Sequence, residues 1–103
     1  METRLVSVAY VVHGRVQGVF FRKYTYQQAM ALDLVGHVRN VRDGTVSGVV
    51  QGARPNVEKM KLWLETTGSP SSVVTRVEFS DERELTQLEF DGFEIRSTTS
   101  GVL

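Results

Sequence analysis

The run Gly14-Arg15-Val16-Gln17-Gly18-Val19-Phe20-Phe21-Arg22 has the residue types of an anion site. Its two glycines bracket a short segment where missing side chains let successive backbone N–H groups converge. A helix starting just after it would point the positive end of its dipole at the same spot. Arg22 falls in the first turn of such a helix, where a planar guanidinium can grip phosphate or carboxylate oxygens in a two-pronged fork. The candidate binders are therefore the backbone amides of Arg15, Val16, Gln17, Gly18, Val19 and Phe20, together with Arg22. By spacing alone the same run also reads as an ordinary strand-to-helix turn with a surface arginine. A Walker A loop fits poorly, because Gly18 is followed by Val19-Phe20 where that motif needs Lys-Ser/Thr.

Asn40 is the second candidate, since an amide offers both donor and acceptor atoms to a water molecule. Just before a hairpin, however, asparagine is commonly a turn residue. Arg15 reads as a solvated loop residue that could steer anions towards the cradle. His37 reads as a sheet-surface or partly packed side chain, because one histidine without an orienting partner in sequence lacks the signature of a catalytic base.

Composition limits what else the chain could do. At 103 residues it fits one compact domain, 1–103, since a core of this size buries roughly two-thirds of the unfolded surface. Twelve basic residues balance 12 acidic ones, so whole-molecule charge gives no argument for nucleic acid or an anionic membrane, and an anion site has to be local. There is no cysteine, which removes disulfides and thiolate nucleophiles and permits a reducing compartment. His13 and His37 lack metal-ligand spacing. The apolar run after Met1-Glu2-Thr3-Arg4 is short and broken by Ser7, so neither a signal peptide nor membrane insertion is expected. These points set the expectation of a cytoplasmic monomer with no metal and no cofactor.

The elements that must position the candidates follow from periodicity. Val6, Val8, Tyr10 and Val12 alternate as a first strand stopping at Gly14. Phe21, Tyr24, Thr25, Gln28, Ala29 and Leu32 recur at helical spacing, predicting a helix from about Phe21 to Leu34 that Gly36 ends. Val38 to Arg42 and Thr45 to Gln51 read as strands joined through Asp43-Gly44, a dipeptide that tolerates the positive φ of a tight hairpin. A second helix is predicted over about Pro55 to Thr67, with Val57, Met60, Lys61 and Leu64 on one stripe and Gly68 closing it. Val73, Thr75, Val77 and Phe79 alternate as a fourth strand, and Phe93 with Ile95 mark a short last one. Phe20, Phe21, Tyr24 and Trp63 read as core, Asp81-Glu82-Arg83-Glu84 as a solvated loop, and residues 97–103 as a loose tail. The order βαββαβ plus a short extra strand predicts an α+β, ferredoxin-like split βαβ sandwich: an antiparallel sheet with two helices on one face. Many functions use that architecture, so it settles no activity.

The cradle run, Gly36-His37-Val38-Arg39-Asn40, Asp43-Gly44-Thr45-Val46, Gln51-Gly52, Met60-Lys61-Leu62-Trp63-Leu64, Gly68-Ser69-Pro70 and Phe93-Glu94-Ile95 together resemble the acylphosphatase family in residues, order and spacing. The resemblance spans nearly the whole chain. It implies metal-free hydrolysis of small acyl phosphates, and of acyl-phosphorylated proteins as possible larger substrates. It also implies that Arg22 binds the phosphoryl group and that Asn40 positions the attacking water. Two positions depart from the family pattern: His37 stands where an aromatic is usual, and Ser69 precedes Pro70 where proline often follows the glycine directly. Two rivals fit less well. RNA-recognition modules share the element order, but Thr45-Val46-Ser47-Gly48-Val49-Val50 lacks the aromatics they stack bases on. A ligand sensor would use the arginine but has no evident use for the amide of Asn40.

Overall fold

The computed structural model describes residues 4–97. Met1 to Thr3 and all but the first residue of the expected tail lie outside that range. Seven elements follow in order: β1 (Leu5–Arg15), α1 (Phe21–Ala31), β2 (Val35–Asn40), β3 (Val46–Ala53), α2 (Arg54–Thr66), β4 (Val73–Leu85) and β5 (Phe93–Arg96). The strands form one sheet in the order β4-β1-β3-β2-β5. β1 pairs antiparallel with β3 and β4, and β2 antiparallel with β3. The extra strand β5 joins β2 in parallel, so the sheet is mixed, with an antiparallel four-stranded body. Both helices pack on one face, α1 over β2 and β5, and α2 over β1, β3 and β4.

Alternation along β1 explains where the core lies. Val6, Val8, Tyr10 and Val12 are almost wholly buried and point to the helices, as do Val46 and Val50 of β3 and Val38 of β2. From the other side Phe21 and Ala29 of α1 and Val57, Met60 and Leu64 of α2 close the same cluster. Trp63 packs against it with its ring centroid 6.0 Å from that of Phe21. Tyr10 spans the layer: its hydroxyl donates to the His37 carbonyl oxygen at 2.8 Å, and burial pushes its ionisation far above the usual phenol range.

Three local expectations give way to tertiary context. α1 stops at Ala31, not near Leu34, because Asp33 takes the left-handed conformation at φ 57°, which a short polar side chain tolerates. The Leu34 N–H then reaches back to the Ala29 carbonyl at 2.9 Å. Gly36 therefore does not end the helix; it sits in β2 at φ 137°, where a Cβ would overlap the Val49 carbonyl of β3. The run Asp81 to Glu84 is no loop. It continues β4, with Asp81 at φ 54° in a bulge between the Ser7 and Ala9 registers, and its charges stay exposed. Main-chain pairing with β1 outweighs weak strand propensity, and exposed ion pairs such as Lys61 to Glu82 at 3.1 Å and Arg83 to Glu89 at 2.6 Å receive the side chains. At the end of α2, Gly68 does close the helix, at φ 63°, with its N–H on the Trp63 carbonyl at 3.0 Å.

Gly36→Ala meets both a left-handed backbone and main chain that cannot yield. It is expected to lower unfolding free energy by about 3 kcal/mol, read as a lower urea midpoint with unchanged m-value.

Candidate active site

β3 runs antiparallel to β1 on one side and to β2 on the other, so β1 and β2 run parallel to each other and end at the same edge of the sheet. The segment after β1 and the turn after β2 must therefore meet, although they are distant in sequence. The two candidate motifs occupy those two places.

The segment after β1 turns tightly into α1. Val16 is 1% exposed and anchors the turn in the core, and Val19 packs against the same cluster. Gly18 has φ 76° and Phe20 has φ 60°, both left-handed. Alternation of left-handed with right-handed residues is the conformation that can turn successive amides towards one side as a concave nest of donors. No side chain caps the N-terminus of α1, and its first turn holds no acidic residue, so the helix start keeps free amides and its positive dipole end. Gly14 is not part of this nest. It lies in β1 at φ 124°, beside a register shift, where a Cβ would overlap the Val73 carbonyl of β4.

Gln17 joins the two places. Its Nε2 donates to the Val41 carbonyl at 2.7 Å and to the Thr45 carbonyl at 2.8 Å, clamping the nest to the turn that follows Asn40. That turn is braced from within. The Thr45 N–H and hydroxyl both donate to Asp43 Oδ1, at 2.9 and 2.6 Å, and these bonds hold the Asp43 carboxyl below the usual carboxylate range. Val41 N–H donates to the Thr45 carbonyl at 2.8 Å and Gly44 N–H to the Val41 carbonyl at 3.0 Å.

Arg22 and Asn40 line one cleft of about 510 Å³ with Val16, Gly18, Phe20, Lys23 and Ile95. Arg22 Nη1 donates to the Arg96 carbonyl of β5 at 3.0 Å, which fixes the guanidinium and leaves its other N–H donors for a ligand. Asn40, the last residue of β2, shares the helix-bearing face with Gly36 and Val38. Its side-chain amide makes no hydrogen bond to another described residue. The remaining candidates divide. Gly18 and Phe20 face the cleft, the Gln17 side chain turns to the hairpin, and Arg15 is exposed at the end of β1 opposite Val73.

Phe20 is the largest departure from the sequence reading. It is 73% exposed, because it stands one residue before the first turn of α1 in a left-handed conformation that costs a bulky side chain about 1–2 kcal/mol. Phe21 alone of that pair enters the core. Ile95 and Lys23 also line the cleft, outside the residues that sequence spacing singles out. Only the alternation from Phe93 could have put Ile95 on the helix-bearing face. His37 lies on the opposite face, half-buried, its ring edge-on to Phe90 at 5.6 Å and its Nδ1 buried without a hydrogen-bond partner. Burial, then the Arg96 and Arg39 charges, hold its pKa below the usual histidine value. It therefore lies across the sheet from the cleft.

Fold and cleft together define the class: a ferredoxin-like α+β sandwich with an arginine- and amide-lined cleft where β1 and β2 end. The chain belongs to the acylphosphatase family, enzymes that hydrolyse acyl phosphates, and that family's model matches residues 8–95. It is 53% identical over 93 residues to Acylphosphatase-2 of Xenopus tropicalis, covering 90% of each chain. Over 92 residues it is 52% identical to Acylphosphatase-1 of Gallus gallus, covering 89% of this chain and 93% of the other. Among solved structures, an acylphosphatase from Coxiella burnetii superposes with a TM-score of 0.80 at 31% identity, covering 90% of this chain and 94% of that one.

Gln17→Met removes both clamping bonds at similar size and is expected to lower stability by about 2 kcal/mol, measured by urea unfolding. For His37 the pH dependence has a definite sign. Unfolded, it takes up a proton near pH 6.5; folded, it does so only at lower pH. Between those values the unfolded chain binds more protons, so stability falls as pH drops through the window. In His37→Phe that part of the slope disappears, which paired thermal melts of the two proteins from pH 7.5 to 5 would show.

Proposed function

We propose that this chain hydrolyses acyl phosphates to a carboxylate and inorganic phosphate by direct attack of water, with no covalent intermediate and no metal. The observation that carries the reading is the single cleft that Val16, Gly18 and Phe20 of the glycine segment line together with Arg22 and Asn40. An acyl phosphate is a mixed anhydride. Cleaving the bond between phosphorus and the bridging oxygen expels a carboxylate whose conjugate acid has a pKa of about 4. Such a leaving group needs no general acid. What remains is to neutralise phosphoryl charge and to hold water in line, which positioning and fixed dipoles can do.

Arg22 and the amides of residues 15 to 20 take the phosphoryl oxygens. Held by the Arg96 carbonyl, the guanidinium loses little freedom when substrate arrives. Asn40 accepts a hydrogen bond from the attacking water through its amide oxygen and donates one to an oxygen through its nitrogen. Among the described residues lining the cleft there is no serine, cysteine or aspartate to act as a nucleophile. We further propose a cytoplasmic monomer, a reading that the cysteine-free composition and balanced charge permit.

The test is phosphate release from acetyl phosphate and benzoyl phosphate with a chelator present. No release above the buffer rate sinks the hydrolase reading, and loss of activity on chelation sinks the metal-free mechanism. Arg22→Gln is expected to lower kcat/KM by about 10³-fold or more, through KM and kcat together. Asn40→Ala is expected to lower kcat by about 10²-fold with KM little changed; normal turnover at saturating substrate would remove it from the water-positioning role.

A further inference from the structure

Two large apolar side chains flank the mouth of the phosphoryl cleft without being covered. Phe20, at its start-of-helix position, is 73% exposed, and Ile95 on β5 is 46% exposed. Both line the cleft that Arg22 and Asn40 line. Single exposed hydrophobics are ordinary on a protein surface. A pair lining the same cleft as a guanidinium and an amide is different, the more so because Phe20 holds a left-handed backbone at φ 60° that glycine would adopt without strain. Backbone strain of this kind collects at functional sites, where the surroundings hold it in place. Here the strain keeps an aromatic ring on the rim and out of the core, which Phe21 occupies instead.

We propose that Phe20 and Ile95 form a specificity ledge for the acyl half of the substrate, selecting acyl phosphates with a flat apolar group, aromatic ones above all. The inference rests on the hydrolase reading above and adds the substrate class. With the phosphoryl group against Arg22 and the nest amides, the bridging oxygen faces outwards, and the acyl carbon skeleton leaves the cleft between these two side chains. An aryl group can lie against the Phe20 ring and remove apolar surface of both from water, whereas a methyl group reaches little of it. Lys23 is the charged group on the same rim, and it makes an acyl group bearing a second carboxylate the natural competitor.

The test compares preferences within each protein, so that general damage to the cradle cancels. Benzylphosphonate and methylphosphonate, which cannot be hydrolysed, are titrated calorimetrically against the full chain, alongside kcat/KM for benzoyl, acetyl and succinyl phosphate. The unaltered protein is expected to bind benzylphosphonate about tenfold more tightly than methylphosphonate and to prefer benzoyl over both other substrates. In Phe20→Ala the tenfold gap should fall below about twofold, in Phe20→Tyr it should survive, and in Ile95→Ser it should shrink. Equal affinity for the two phosphonates, a gap that persists in Phe20→Ala, or a preference for succinyl phosphate would each overturn the ledge. Turnover of acetyl phosphate without the gap leaves the hydrolase and removes the ledge. A gap without any turnover does the reverse, because the phosphonates report binding alone.

Discussion

Placing β3 between β1 and β2 is the constraint on which everything functional here depends. Because β3 is antiparallel to both neighbours, the strands before and after α1 run the same way and finish at one edge. Two segments separated by a whole helix are then brought face to face by topology, before any side chain is considered. Gln17 converts that proximity into a fixed distance. One side-chain nitrogen on two carbonyls, of Val41 and Thr45, sets the amide nest against the end of β2. The Thr45 to Asp43 bonds keep the far side of the clamp rigid. The resulting cleft needs no long-range field. In a protein with 12 basic and 12 acidic residues, the local means of attracting an anion here are a helix start, backbone amides and a guanidinium held by a backbone carbonyl.

Much of this was legible from residue order. Strict alternation from Val6 to Val12 reports a strand with one buried face, because a single slip would turn every valine outwards. Pro55 and Gly68 punctuate α2 as their backbone limits require. The order of elements gave the sandwich, and the cradle and Asn40 motifs were visible as short runs. What stayed hidden depended on neighbours distant in sequence. Gly36 looks like a helix stop, yet it is glycine because β3 passes too close for a Cβ. Asp81 to Glu84 looks like a loop by composition, yet the unpaired backbone groups of β1 draw it into the sheet. The parallel addition of β5 to β2 leaves no trace in the four residues of that strand.

Phe20 shows the limit most sharply. Spacing beside Phe21 and Tyr24 and hydrophobicity both read it as core. Neither measure knows that the residue just before the helix start is left-handed and projects its side chain away from the stripe that begins at Phe21. The clamp through Gln17 was equally invisible, since its acceptors are main-chain carbonyls that carry no residue signature. Periodicity finds surfaces that repeat. A site assembled from caps, turns and single backbone atoms does not repeat.

The long strand β4 has a consequence for how such a chain survives at high concentration. It borders the sheet on its free side for 13 residues, the kind of open hydrogen-bonding rail along which a second copy could add and start a fibril. Arg76, Glu78, Glu82, Arg83 and Glu84 stand along it, and Asp81 kinks it at φ 54°. An incoming strand would have to accept a bent template and bury charges of both signs, both of which disfavour its addition. The same charged, bulged run that composition suggested was a loop is what makes this open edge a poor template for another strand.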